Sequence, residues 1–355
     1  MSVAGTLALV LAVLIGAAPG AFAQTRRVAF DLVAAADIDA GSEVTRKPTA
    51  WFDAFAAIRL SDGFDVRVRP VVFRRSFDGS WQTQMYELAL RYERRAAIGM
   101  RVDVGHFSSP IGLALLENRP NLNPVVSQHS TLYLPIPRYE TGTPSTFLLA
   151  ASYPLGAKIT LSGAKWDARA AVTDSSAIRG RPFFGDNKPP RMANYVVGGG
   201  LTPHVGVRIG AAVSYGPYAA ASEVRDRARG DRAASVAQVE GEWSFGYTRL
   251  AGEWLWTRRE LASTEAEVDG GWIEGTQTLS PRVFAAMRYD QQATRWLAPD
   301  LSQRDAPYRR LEAALGFRVT PEITLRGSYM TRNGYVVGFW DDQALVSLVY
   351  SKRFY

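Results

Sequence analysis

Cysteine is absent from the 355 residues, which excludes a disulfide, a thiolate zinc site and a cysteine nucleophile. Histidine is nearly so: His106, His129 and His204 stand far apart without metal-ligand spacing, and no metal or cofactor is expected. Lysine is confined to Lys47, Lys158, Lys165, Lys188 and Lys352, so arginine supplies nearly all of the formal net charge of +7 and the pI near 9.6. The arginines are scattered along alternating segments and form no basic stripe, which argues against nucleic acid as a partner. Beyond Gln24 no apolar run approaches the ~20 residues that a spanning helix needs.

The first residues carry an apolar run, Leu7 to Ile15, followed by the small-x-small pattern Ala21-Phe22-Ala23. This predicts a cleavable export signal over 1–23 and a mature chain over 24–355. No lysine or arginine precedes the run, so the amino terminus is its only positive charge. A mature chain without a spanning helix is then either soluble outside the cytoplasm or a membrane β-barrel.

Periodicity decides between these. Segment after segment alternates apolar with charged residues: Val66 and Val68 against Asp65, Arg67 and Arg69; Tyr86, Leu88, Leu90 and Tyr92 against Glu87 and Arg91; Met100, Val102 and Val104 against Arg101 and Asp103. Pro70 signals a bulge or bend within its strand. Strands are predicted at 27–36, 51–60, 64–73, 85–93, 100–107, 147–153, 158–172, 194–201, 205–215, 236–245, 247–258, 267–279, 282–289, 311–319, 323–331 and 344–355. Short turns such as Ser61-Asp62-Gly63, Thr202-Pro203-His204 and Thr320-Pro321-Glu322 alternate with longer polar loops. About sixteen antiparallel strands with that rhythm describe a transmembrane β-barrel, all-β, with both termini at the short-turn end. Trp243, Phe245, Trp254, Trp256, Tyr289, Tyr329, Tyr350 and Phe354 suit girdles at the headgroup level.

One connection breaks the rhythm. After the fifth strand, residues 108–145 form a long loop containing Pro110, Pro120, Pro124, Pro135, Pro137 and Pro144, with Leu113, Leu115, Leu116, Leu132 and Leu134 as apolar anchors. Loops of this length in compact chains are functional or disordered, and the anchors predict one folded into the lumen.

Where this loop begins, Val104-Gly105-His106-Phe107-Ser108-Ser109-Pro110-Ile111-Gly112 resembles the V-G-x-F-x-x-P-x-G strand-to-loop motif of the phosphate-selective porin O/P family, outer-membrane proteins. The strand rhythm is similar over nearly the whole mature chain. The resemblance implies a water-filled barrel narrowed by an inward loop and a homotrimer. The lysines that members set beside arginines are nearly absent here, so it is not extended to phosphate. Phe354-Tyr355 resembles the C-terminal aromatic signal read by the barrel-assembly machinery.

The expected site is a lumenal constriction made of Arg67, Arg69, Arg91, Arg101 and Asp103 on the wall with Glu117, Arg119, Arg138 and Glu140 on the loop. Its sharpest form has Arg67, Arg69 and Arg101 facing Arg119 or Arg138, so that guanidinium groups lead an anion through by exchanging bidentate contacts. The competing reading is a wall of ion pairs, since acids such as Asp53, Glu240, Glu253, Asp290 and Glu312 interleave with the arginines. His106 and Ser108, two apart, superficially resemble the pair of outer-membrane phospholipases, but the surrounding motif is missing and no enzyme is expected. Gly198-Gly199-Gly200 precedes no helix and is no phosphate cradle; it permits bending or close approach in a wall. The expectation is a diffusion channel for small hydrophilic solutes, weakly anion-selective, in a bacterial outer membrane and in contact with its lipid. The alternatives are a plugged barrel with a binding or structural role and a secreted soluble β protein.

Overall fold

The computed structural model describes residues 28–39, 48–74, 79–114, 119–134, 136, 146–149, 153–179, 193–223, 230–261, 264–296, 307–333 and 342–354. The export signal, Glu117, Arg138, Glu140 and Tyr355 lie outside the described residues.

The strands are β1 (Val28–Asp39), β2 (Thr49–Ser61), β3 (Phe64–Arg74), β4 (Trp81–Arg94), β5 (Gly99–His106), β6 (Leu155–Ser162), β7 (Trp166–Thr173), β8 (Asn194–His204), β9 (Val207–Ala219), β10 (Arg232–Phe245), β11 (Thr248–Glu260), β12 (Glu265–Thr278), β13 (Val283–Trp296), β14 (Tyr308–Arg318), β15 (Ile323–Asn333) and β16 (Gln343–Phe354). Each pairs antiparallel with its neighbours in sequence, and β1 pairs with β16 from Phe30↔Phe354 to Asp39↔Leu345, closing the barrel. Closure pairs every strand and leaves no edge, which hydrocarbon would not tolerate. A helical turn, α1 (Ser130–Tyr133), sits in the long connection.

The side-chain pattern is inverted relative to a soluble sandwich. Leu88, Leu90, Val197, Val213, Ile273, Leu315 and Leu348 are exposed on the outside, while Asp53, Asp103, Arg288, Asp290 and Glu312 are buried inside. A soluble core has no reason for that arrangement; a hydrocarbon surround does. Trp243, Phe245, Trp256, Tyr329 and Phe354 are exposed on this surface. The register slips at Pro70, where a bulge was expected (Arg69↔Glu87, then Pro70↔Met85), but the extra residue is Tyr86 on β4, and it is turned inward and buried, not outward with Leu88 and Leu90 as the alternation predicts.

Two of the sixteen predicted strands are corrected. Of the strand expected over 147–153, the described residues 147–149 and 153 lie in no strand: Leu148 and Leu149 are both fully buried without alternation, and an isolated bridge, Thr146↔Arg179, stands beside them. The single strand expected over 158–172 is instead β6 and β7, joined through Gly163, Ala164 and Lys165. The physical sign is a change of phase. Leu155 and Ile159 face out at odd positions, and Trp166 and Val172 at even ones. Pro154-Leu155-Gly156 is therefore a strand start and not a turn. Gly156 lets β7 approach, for an added Cβ would lie 2.1 Å from the Val172 carbonyl oxygen. These two errors offset each other in the strand count, and the connection between β5 and β6 grows to residues 107–154.

Candidate functional site

The long connection crosses the lumen and is pinned by buried wall charges to its backbone. From the end of β5 it runs to the far wall, where Gly112 donates to Gln238 Oε1 (3.2 Å) and Leu113 to Glu253 Oε2 (2.6 Å). It returns to the seam, where Arg119 meets Asp53 at 3.3 Å and Asp31 at 3.8 Å. From there it follows β15, β14 and β13 in turn. Arg326 donates to the carbonyls of Pro120 (3.0 Å), Asn123 and Val125 (3.0 Å). Glu312 accepts the N–H groups of Val126 (3.1 Å) and Ser127 (3.0 Å), and Asp290 accepts that of Ser130 (3.0 Å). A loop buried this way would strand polar backbone groups without such partners. Ile111, Leu113, Leu132 and Ile136 add an apolar cluster with Val236, Leu255, Val268 and Trp272 of the wall.

What the connection leaves open is a cavity of about 670 Å³ between Ser108–Leu113 and the wall, lined among others by Arg67, Arg91, Arg101, Lys158, Arg169 and Arg208. The loop contributes no charge to it from the described residues; Ser108, Ser109, Pro110, Gly112 and Leu113 face the cations across the gap. Most wall charges are paired. Arg67 contacts Glu87 at 3.3 Å and Asp65 at 3.4 Å, and Arg208 bridges Glu240 and Asp167.

Asp103 is different. Fully buried, it is shared by Arg91 (2.5 Å), Lys158 (3.4 Å) and Arg101 (3.7 Å), and the Arg101 side chain remains 41% exposed. One carboxylate is therefore shared by three cations at the edge of the cavity, whose lining also carries Glu87 and Glu93. Register produces the cluster: Asp103 stands opposite Arg91 on β4 and Lys158 on β6, all pointing inward.

The predicted residues thus fall into two groups. Arg67, Arg91 and Arg101 line the cavity, with Asp103 buried beside Arg91 and Arg101. Arg69 and Arg119 meet elsewhere, on the two oxygens of Asp53, with Arg69 Nη2 at 2.6 Å and its Cζ 5.2 Å from the Tyr86 ring centre. Arg119 is joined to Arg69 through that carboxylate, not set against Arg67 and Arg101. Lys158, Arg169 and Arg208 join Arg67, Arg91 and Arg101 at the cavity, three cations beyond the expected constriction set. The signal for Lys158 was hidden by the misplaced strand. His106 Nδ1 lies 3.1 Å from the Tyr153 carbonyl oxygen, to which it donates.

No family model matches the chain, and neither does any curated protein. Among solved structures the fold is similar to outer-membrane expressed OmpT of Vibrio cholerae, with a TM-score of 0.59 and 10% identity over 94% of this chain and 100% of that one. It is similar to Salmonella typhi OmpF in complex with daunomycin (0.59, 13%, 92% and 97%) and to an anion-selective porin from Comamonas acidovorans (0.58, 8%, 92% and 98%). The chain has the sixteen-stranded fold of general outer-membrane porins. At these identities the likeness concerns the fold, and it does not reach the phosphate-selective family that the Val104–Gly112 motif resembles.

Proposed function

We propose that the protein is an outer-membrane porin: a passive diffusion channel for small hydrophilic solutes, with a preference for anions. The observation that carries this is the sharing of Asp103 by Arg91, Arg101 and Lys158 beside a water-filled cavity, since only cations left undercompensated at a narrow point bias permeation. The sixteen-stranded barrel supports the channel, because one of this size keeps an aqueous interior where about eight strands would be filled by side chains. The proposal includes export by the segment 1–23, insertion aided by Phe354 and Tyr355, and a homotrimer in the outer membrane.

A second reading has its own observation. The apolar cluster of Ile111, Leu113, Leu132 and Ile136 with the β10–β12 wall is a dry plug across part of the lumen, and a barrel closed throughout would serve binding or structure. Conductance of the refolded protein in a planar bilayer under a salt gradient separates the two. Stable steps with a reversal potential of anionic sign are expected. A folded, inserted protein without steps sinks the channel and leaves the plugged barrel.

A further inference from the structure

The three consecutive glycines Gly198, Gly199 and Gly200 find their use at the wall of the cavity. Asp167 on β7 stands opposite Gly200 on β8, Gly200 opposite Gly210 on β9, and Gly210 opposite Glu240 on β10. The row across the wall therefore reads acid, glycine, glycine, acid. Into the gap left by the two missing side chains lies the guanidinium of Arg208, with Nη2 3.0 Å from Asp167 Oδ1 and Nη1 on Glu240 Oε1.

We infer that Gly200 is a specificity-determining position: by seating Arg208 flat against the wall between Asp167 and Glu240, it sets the width of the passage and hence the size of solute admitted. The inference rests on the diffusion-channel reading and adds to it which residue limits size.

The steric argument distinguishes Gly200 from its neighbours. A Cβ on Gly200 would stand 2.7 Å from Arg208 Nη2 and 2.9 Å from its Cζ, the far end of a flexible side chain, and 3.0 Å from the Ile209 carbonyl oxygen. The cheapest relief is for Arg208 to leave the wall and swing into the lumen, where its side chain is already 28% exposed. On Gly210 the Cβ would meet Glu240 Oε1 at 2.8 Å and the Gly199 carbonyl at 2.9 Å, and on Gly198 the Ala212 Cβ at 2.7 Å and the Ala211 carbonyl at 2.9 Å, so substitution at those positions presses on other groups than Arg208. Of the three, Gly200 is the position whose nearest contact is the Arg208 guanidinium. A long cation projecting across the gap narrows it, and pore diameter governs which solutes pass.

The test is swelling of proteoliposomes in isotonic sugars, comparing the rate for a disaccharide with that for a pentose. Gly200→Ala is expected to lower the disaccharide-to-pentose ratio several-fold, Arg208→Ala to raise it, and the double variant to return it to the level of Arg208→Ala. Gly327→Ala is the control, since Gly327 is on the lipid-facing side of β15 and an added Cβ meets nothing within 4 Å. An unchanged ratio in Gly200→Ala, or a lowered one that persists when Arg208 is truncated, overturns the inference. Should Gly200→Ala fail to refold, Arg208→Ala alone decides, and an unchanged ratio there is equally fatal. A wild-type protein that passes no solute removes the diffusion reading as well, whereas a conducting protein with an unchanged ratio removes only this inference.

Discussion

The backbone N–H of Leu113 donates to Glu253 Oε2 at 2.6 Å, joining the loop to the opposite wall across 140 residues of sequence. Glu253 is almost wholly buried and also accepts from Ala114 N (3.3 Å), Trp272 Nε1 (2.8 Å) and Gln238 Nε2 (2.9 Å). Truncation in Glu253→Ala strands these donors, and each buried unsatisfied group costs roughly 1–3 kcal/mol. The expected outcome is a barrel that still closes, as read by heat-modifiable gel migration, with a lower thermal midpoint and a larger single-channel conductance as Gly112 and Leu113 leave the wall. Wild-type conductance in this variant would show that the anchor does not hold the constriction.

The Asp103 cluster predicts two changes of opposite sign. Arg101→Ala removes the exposed member of the cluster and is expected to shift the reversal potential toward cation preference. Asp103→Asn removes the shared carboxylate, leaves Arg91 and Lys158 uncompensated and is expected to shift it toward anions. Both shifts should shrink in high salt, because exposed charges are screened beyond about 3 Å at 1 M. Shifts of the same sign would mean that the cluster does not set the local potential.

How far the sequence speaks for itself follows from which periodicities are local. The barrel was legible because alternation such as Leu88, Leu90 and Tyr92 against Glu87 and Arg91 is written residue by residue, and a bulge at Pro70 follows from its missing N–H. The boundary between β6 and β7 is marked only by the change from odd to even apolar positions across Gly163, a weaker signal than a turn containing proline. What could not be read was register. That Lys158 stands opposite Asp103, or Gly200 between Asp167 and Gly210, depends on how strands separated by long connections slide past one another. The destination of Arg119 likewise depends on the path of the loop, so proximity to Arg69 came true only through Asp53, a residue read as an ordinary member of the wall.

Arg326 predicts a test of loop order separate from pore charge. Its Nη1 donates to three carbonyls of the loop, those of Pro120, Asn123 and Val125, and its Nη2 donates to Ser347 Oγ at 2.9 Å. Lysine keeps the charge but lacks the planar fork that reaches several acceptors at once. Arg326→Lys is therefore expected to preserve the mean conductance and its ion preference while increasing open-channel current noise, measured in single-channel records. Noise indistinguishable from wild type would mean that apolar packing alone fixes this part of the loop.

The two acids that hold Arg119 should differ sharply in what they contribute. Asp53 is fully buried and takes Arg69 in a fork, with Nε at 3.0 Å and Nη2 at 2.6 Å from Oδ2, besides Arg119. Asp31 pairs at the mouth with Arg353, whose side chain is 59% exposed, at 2.7 Å. Removing one partner of a buried pair leaves an uncompensated charge and costs about 3–5 kcal/mol, while an exposed pair is worth only about 0.2–1 kcal/mol. Asp53→Ala should thus lower the thermal midpoint of the detergent-solubilised barrel far more than Asp31→Ala, although both lie on the seam strands β1 and β2 and both contact the same loop arginine. Equal losses would place the stabilisation in Arg119 itself, whereas the expected inequality places it in the buried fork between Arg69 and Asp53.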